Sequence, residues 1–318
     1  MPTIKDVAQK AGVSIATVSR FLNGSGYVSE EVKLKLIQVI NELGYKRKYT
    51  AHILASRKKR KVAMVISERI KQLLNTDIGY FYKVIVESIQ QNAETFHFEI
   101  SLLDLRRVEK FDGYLLIGSD ALEQDVQEYK RLGKVVLVDH HVEGLMVDSV
   151  VSAGADAATF LVNRFLEMGK KRIIHVHGPL KYYGFRDRYQ GYVNTMQKYG
   201  LLPITFEYDD LHDDIEPVVK KILANYEPDV IFCSNDVIAL RVMEKLKAFG
   251  YEIPKKISVV GFDDIPEAER LGLTTFHVDK YEMGVTAVRR LYDLLVGHNV
   301  QPRKICLHAY FVKRNSSL

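Results

Sequence analysis

The sequence has only two cysteines in 318 residues, Cys233 and Cys306. That is too few for a disulfide scaffold or a thiolate metal cluster. Both fall in hydrophobic segments that read as strands, where a reduced intracellular protein places a small buried hydrophobe. No stretch approaches the roughly 18–20 consecutive apolar residues that cross a bilayer. The opening Met1-Pro2-Thr3-Ile4-Lys5-Asp6 has neither a basic n-region nor an apolar h-region. Secretion and membrane spanning are therefore not expected, and a cytoplasmic location is. The phosphate-cradling patterns G-x-G-x-x-G and G-x-x-x-x-G-K-S/T follow none of the strand-like segments, and H-E-x-x-H and G-x-S-x-G are missing too, so an enzyme is not expected. His140-His141 and His175-x-His177 lack a third ligand at metal spacing. No catalytic residue, metal or cofactor is expected.

What is present is an ordinary globular composition, 47% hydrophobic and 27% charged, with enough length for two or three domains. The net charge of +5 is unevenly spread. Residues 1–61 hold 13 Lys/Arg against 4 Asp/Glu, a local +9, and the remainder holds 32 against 36, a local −4. A basic segment of this kind attracts a polyanion.

The first segment reads as three short helices. Thr3 with Asp6 forms a capping-box-like start, Ile4, Val7, Ala8 and Ala11 recur at helical spacing, and Gly12 ends the run. Ser14 caps a second helix over Ile15 to Leu22, closed by Asn23-Gly24. Ser29 starts a third, with Val32, Leu36, Val39, Ile40 and Leu43 as its buried stripe. Helix, tight turn, short helix is the helix-turn-helix pattern. Its small, hydroxyl-rich second helix fits a DNA major groove about 12 Å wide, with Ile15, Ala16 and Arg20 able to reach base edges and Thr17 and Ser19 able to hold phosphates. Next comes a basic linker, Lys46-Arg47-Lys48 and Arg57-Lys58-Lys59-Arg60-Lys61, around the helix-compatible stretch Thr50 to Ser56. It has too few apolar positions to pack alone.

After Lys61 the period changes. Strand-like runs at 62–66, 96–100, 113–117 and 135–138 alternate with helical ones, and the rhythm restarts with strands at 172–176, 230–232 and 258–262. This predicts an α/β fold of two parallel-sheet lobes, with a cleft between the carboxyl ends of their strands. Asp139, Asn235-Asp236 and Asp263-Asp264 all follow strands, and Arg188 follows the Gly178-Pro179 turn. Carboxylates, an amide and a guanidinium around an apolar cleft suit a neutral polyhydroxyl ligand, each of whose buried hydroxyls needs a partner. The alternatives at each position are a helix cap, an ion-pair member or a plain turn.

These residues resemble the LacI/GalR family of bacterial transcriptional repressors. The likeness is carried by Thr3-Ile4-Lys5-Asp6-Val7-Ala8, Ala11-Gly12-Val13-Ser14, Thr17-Val18-Ser19-Arg20 and Leu22-Asn23, by Val28-Ser29-Glu30-Glu31 and Leu43-Gly44-Tyr45, and in the core by Ser234-Asn235-Asp236 and Ile257 to Pro266. It implies an N-terminal helix-turn-helix headpiece over 1–48, a hinge helix and basic linker over 49–61, and a two-lobed periplasmic-binding-protein-like core of parallel sheets over 62–318. It also implies a homodimer on palindromic operator DNA, released or retained by a small sugar. The DNA-contacting positions it implies are Thr3, Ser14, Ile15, Ala16, Thr17, Ser19, Arg20, Asn23 and Tyr45, with Leu54 wedged into the minor groove. Its effector positions fall on Asp77, Phe81, Asp139, Arg188, Asn235 and Asp263. The overall texture resembles the galactoside-responsive branch, so galactose or a galactoside is the expected effector. The chain departs from the family pattern at Ile78, Ser152-Ala153 and Val278. The alternative is a catabolite-type regulator of the same family controlled by a phosphocarrier protein.

Overall fold

The computed structural model describes residues 2–23, 28–43, 59–209, 213–298 and 300–318, excluding the side chains of Leu22, Asn23, Glu30, Asn41 and Asp77. Three helices open the chain: α1 (Ile4–Ala11), α2 (Ile15–Asn23) and α3 (Glu30–Leu43). Thr3 and Asp6 form the anticipated capping box on α1, and Ser14 caps α2 by accepting the Thr17 N–H at 3.0 Å. Gly12 takes a left-handed φ of 68°, a conformation that favours glycine and turns the chain from α1 into α2. Val7, Ala8, Ala11, Val18, Leu36 and Val39 form a small core of their own.

The amino-terminal lobe is a six-stranded parallel sheet in the order β11-β5-β4-β3-β1-β2. Its strands are β1 (Arg60–Ile66), β2 (Phe98–Asp104), β3 (Gly113–Ile117), β4 (Lys134–Val138), β5 (Asp148–Ser152) and, from far along the chain, β11 (Lys304–Leu307). Continuous apolar strands need cover on both faces. Val62, Met64 and Ile66 of β1 enter one cluster while Ala63 and Val65 enter another, the two-residue alternation of a pleated strand. Helices α4 (Glu68–Leu74), α5 (Tyr80–Ala93), α6 (Glu123–Leu132) and α12 (Lys280–Leu295) belong to this lobe. Arg290 of α12 forms an ion pair with Asp148 of β5 at 2.5 Å, each side chain only 4% exposed.

The second lobe has the parallel sheet β7-β6-β8-β9, made of β6 (Ile173–His177), β7 (Ile204–Glu207), β8 (Val230–Cys233) and β9 (Ser258–Val260). Its helices are α7 (Gly154–Glu167), α8 (Tyr183–Lys198), α9 (Glu216–Asn225), α10 (Asp236–Ala248) and α11 (Pro266–Arg270). The antiparallel pair β10 (Thr275–His277) and β12 (Tyr310–Val312) continues it. The polar tail is docked: the Ser316 hydroxyl donates to the Val259 carbonyl at 2.6 Å, and Ser316 and Ser317 are buried. The chain thus passes between lobes three times, after β5, after β10 and after β11.

The expected parallel α/β lobes are all there, with two differences. Cys233 is buried as expected, but Cys306 is exposed, because β11 is an edge strand with only β5 beside it. The segment 303–311 has strand character in sequence, and it forms two strands, β11 and β12, split between the lobes. None of the described helices is long and apolar enough to cross a membrane.

Candidate functional site

A cavity of about 170 Å³ opens between the lobes. That is an order of magnitude above the roughly 10–15 Å³ a single water occupies on such a measure. Asp139, Asn235 and Asp263 reach it from the carboxyl ends of strands in both lobes, where the open faces of parallel sheets bind ligands, and Arg69, Tyr82 and Arg188 reach it from helices.

On the amino-terminal side, β4 ends at Val138 and Asp139 takes a left-handed φ of 54°. Its backbone is pinned by an N–H bond to the Val150 carbonyl at 2.9 Å and by the Ser119 hydroxyl, which donates to the Asp139 carbonyl at 2.9 Å. Tyr82 of α5 donates its hydroxyl to the Asp139 carboxylate at 3.0 Å. Burial pushes this carboxyl up to about 6, against the opposing pull of Arg188, Tyr82 and Arg69. The folded protein therefore holds a proton that the unfolded chain has lost, between the ordinary carboxylate range and about pH 6. Asp139 supports folding most fully below about pH 4, and that support is lost as pH rises through 6. Thermal unfolding of Asp139→Asn against its parent should show the variant gaining relative stability between pH 4 and 6 and holding it above. A difference flat across this range would contradict the assignment.

Across the cleft, α8 carries Arg188. Gly191, one turn on, allows the close approach of α7: a Cβ there would lie 2.3 Å from the Ala155 carbonyl oxygen. The Arg188 guanidinium lies 4.3 Å from the Phe262 ring centroid and 5.5 Å from that of Phe185. Its Nε is buried with no hydrogen-bond partner among the described residues. A buried charged donor without a partner is costly unless a ligand supplies one.

Asn235 caps α10, its Oδ1 accepting the Ile238 N–H at 2.8 Å. Beneath it Asp236 is fully buried, accepting the Thr275 hydroxyl at 2.6 Å and the Ile265 N–H at 2.9 Å. Burial, reinforced by nearby Asp263, drives this carboxyl well above its usual range. Gly261 makes the room, since a Cβ there would sit 2.2 Å from Asp236 Oδ1. The neighbouring pair Asp263-Asp264 divides its tasks. Asp263 lines the cleft, while Asp264 bonds to Arg314 at 2.7 Å and His277 at 2.9 Å. Burial works to raise the Asp264 carboxyl, but those two partners hold it below its ordinary value.

Of the expected effector residues, Phe81, Asp139, Arg188, Asn235 and Asp263 come together here, and the Asp77 side chain lies outside the described set. Sequence reading missed Arg69, Tyr82, Tyr182 and Asp209, which also line the cavity. The one signal for Arg69 was Ser67 beside acidic Glu68, a helix start directly after a strand. Of the four histidines in the two close pairs, His140, His175 and His177 are buried and His141 is half-buried. His175 lies in the interior, its ring 4.6 Å from that of Phe232 and its Nδ1 3.0 Å from the Phe232 carbonyl. Burial drives it well toward the neutral form. No cluster of three or more metal-ligating side chains occurs among the described residues.

At the other end of the chain, α2 buries Val18 and leaves Ile15, Ala16 and Arg20 exposed on its outer side. Ser14 is exposed, and Thr17 and Ser19 are half-buried. The Thr3 hydroxyl is engaged with Asp6 at 2.9 Å. Tyr45 and Leu54 lie outside the described residues, as does the Asn23 side chain.

Residues 3–48 match the model of the bacterial regulatory proteins, lacI family, and residues 162–317 that of a periplasmic binding protein-like domain. The chain is 31% identical to a ribose operon repressor of Halalkalibacterium halodurans, over 92% of this chain and 89% of that one. It is 27% identical to the HTH-type transcriptional repressor PurR of Yersinia pestis, over 99% and 97%. In fold it is similar to a lac repressor dimer bound to operator and the anti-inducer ONPF, with a TM-score of 0.71 at 24% identity over 100% and 99% of the two chains. It is likewise similar to the transcriptional regulator CelR in its cellobiose complex, with a TM-score of 0.70 at 24% identity over 99% and 100%. With two lobes meeting at a polar cleft and a helix-turn-helix ahead of them, the chain belongs to the LacI family of bacterial regulatory proteins, as a DNA-binding repressor with a ligand-binding core.

Proposed function

We propose that the protein represses transcription in the cytoplasm by binding a two-fold symmetric operator as a homodimer, and that a small neutral sugar in the cleft controls its operator affinity. In this reading residues 1–48 are the DNA-binding domain, 49–61 the hinge and linker, and 62–318 the regulated core. The observation that carries the sugar assignment is Arg188, buried between aromatic rings with its Nε unpartnered and facing a cleft also lined by Asp139, Asn235 and Asp263. A ligand with several hydroxyls satisfies donors and acceptors together. Galactose or a galactoside remains one candidate; the ribose named for one relative and the cellobiose of the CelR complex widen the set to test.

Ile15, Ala16 and Arg20 are assigned to base edges. Thr3, Ser14, Thr17, Ser19, Asn23 and Tyr45 are assigned to backbone contacts, and Leu54 to the minor groove. Arg20→Ala should lose roughly 1–3 kcal/mol of discrimination at one operator position. Lys59→Ala should instead weaken all DNA alike and flatten the salt dependence. Binding to matched and single-base-changed operators at two salt concentrations separates the two, and an Arg20 variant that keeps full discrimination removes it from the reading set.

The deciding experiment titrates the full chain on the DNA upstream of its own gene, at one stated salt concentration, with galactose, lactose, ribose, cellobiose and phosphorylated sugars in turn. Release by a neutral sugar is the expected result, since effector and operator then each weaken the other's binding. Tighter binding with a neutral sugar would make the ligand a corepressor. Response only to a phosphorylated sugar, or to a phosphocarrier protein, would overturn the assignment.

A further inference from the structure

The cleft mouth carries a contact that ligand binding as described does not use. Arg69 of α4, in the amino-terminal lobe, holds its guanidinium 4.1 Å from the ring centroid of Tyr182, which directly precedes α8 of the other lobe. Both side chains line the cavity. The arginine is held in place from behind: its Nε lies 2.9 Å from Oδ1 of Asp120 and its Nη2 3.0 Å from Oδ2. Asp120 in turn accepts the Ser67 hydroxyl at 2.8 Å. Ser67 follows β1 directly and caps α4. The cationic plane is therefore mounted on the strand ends of one lobe.

Tyr182 is mounted on the other. Its N–H donates to the Pro179 carbonyl at 3.1 Å, and its own carbonyl accepts the Arg186 N–H at 3.1 Å. Lys181 Nζ lies 5.1 Å from the same ring. A guanidinium fixed by a bidentate carboxylate keeps its plane oriented for an aromatic face, which an ammonium does not. Other cross-lobe contacts among the described residues include an exposed Arg186–Glu143 pair at 3.7 Å, an edge contact between His141 and Tyr183 at 5.9 Å, Lys304 Nζ 5.0 Å from the Tyr183 ring centroid, and Lys280 Nζ donating to the Asp263 carbonyl.

We propose that Arg69 and Tyr182 form a cross-lobe clasp over the cleft mouth, which must part for ligand exchange and which helps to fix the closed arrangement of the lobes. Asp120 is its positioning residue. The gating role rests on the cleft being the effector site, whereas the clasp itself can be tested with no ligand present.

The chain contains no tryptophan, so Tyr182→Trp places a single indole in the stack. In the full-length protein its emission should be blue-shifted and poorly quenched by acrylamide. Adding Arg69→Met should reduce the closed-to-open ratio roughly 5–30-fold, the equivalent of one cation–π contact, seen as a red shift and stronger quenching. Arg69→Lys, which keeps the charge and loses the plane, should fall between. Unchanged emission and quenching in Arg69→Met, with a thermal midpoint matching its parent, would overturn the clasp. For gating, whichever of galactose, ribose or cellobiose releases operator DNA should dissociate faster from Arg69→Met with Tyr182 intact. An unchanged dissociation rate would remove the gating role and leave the effector reading standing. If the response in the operator titration is confined to a phosphorylated sugar or a phosphocarrier protein, the neutral-sugar reading fails while the fluorescence arm still decides the clasp.

Discussion

Arg188→Met is expected to weaken effector binding roughly 100-fold or more while leaving operator binding near its original strength. A hydrogen bond to a charged group contributes about 1.5–3 kcal/mol when its loss leaves a partner unsatisfied, and a guanidinium facing several hydroxyls makes at least two. Methionine keeps an unbranched apolar stem against Phe262 and Phe185, so the variant removes the donors more than the packing. It also removes a buried cation whose Nε has no partner, and with it the favourable pull that cation exerts on the Asp139 carboxyl. Arg188→Lys should rescue poorly, because an ammonium neither stacks flat on Phe262 nor reaches two hydroxyls in one plane. The measurement is the sugar concentration at half-release from operator DNA. A midpoint unchanged in Arg188→Met would show that the guanidinium does not hold the effector.

The second large effect is expected far from the cleft. Arg290→Met should destabilise the protein by about 3–5 kcal/mol, because it leaves Asp148 as an uncompensated buried charge. Asp148 accepts both Arg290 Nε at 2.5 Å and the Arg303 N–H at 3.0 Å, and Arg290 also donates to the Gln301 carbonyl at 2.8 Å. The cluster therefore ties β5, α12 and the approach to β11 into one knot. For a unit of this size the midpoint should fall by roughly 10 °C, at about 2–4 °C per kcal/mol. Asp148→Asn combined with Arg290→Met should recover much of the loss, since the orphaned charge is then gone as well. Calorimetry of the three proteins tests this. A fall of less than about 2 °C in Arg290→Met would mean that water already reaches the carboxylate.

Much of this was legible in the sequence, for physical reasons that differ by region. The headpiece announces itself because its signals are local: Thr3, Gly12 and Ser14 act within four residues of where they stand. Asp139, Asn235 and Asp263 were legible because each follows an apolar run, Val135 to Val138, Val230 to Cys233 and Val259 to Phe262, and the ends of parallel strands converge. Arg69 and Asp209 were not, since α4 is short and β7, Ile204-Thr205-Phe206-Glu207, mixes polar with apolar residues and is only half-buried, so neither stands out as an apolar run. The division between Asp263 and Asp264 was illegible in principle. Two adjacent carboxylates look alike until backbone torsion sends one to the cleft and the other to Arg314. The Asp148–Arg290 pair joins positions 142 apart, a separation at which no local pattern carries information.

The late position of α12 and β11 also fixes an order of events during synthesis. At roughly 5–20 residues per second, the stretch between β5 and its partner β11 takes on the order of ten seconds to be made. Until then the sheet face that α12 covers, including Leu115 and Val136, has no lid, and Asp148 has no arginine. The headpiece needs nothing beyond Leu43 to complete its own core. On the ribosome, the DNA-binding part is therefore complete well before the ligand-binding core.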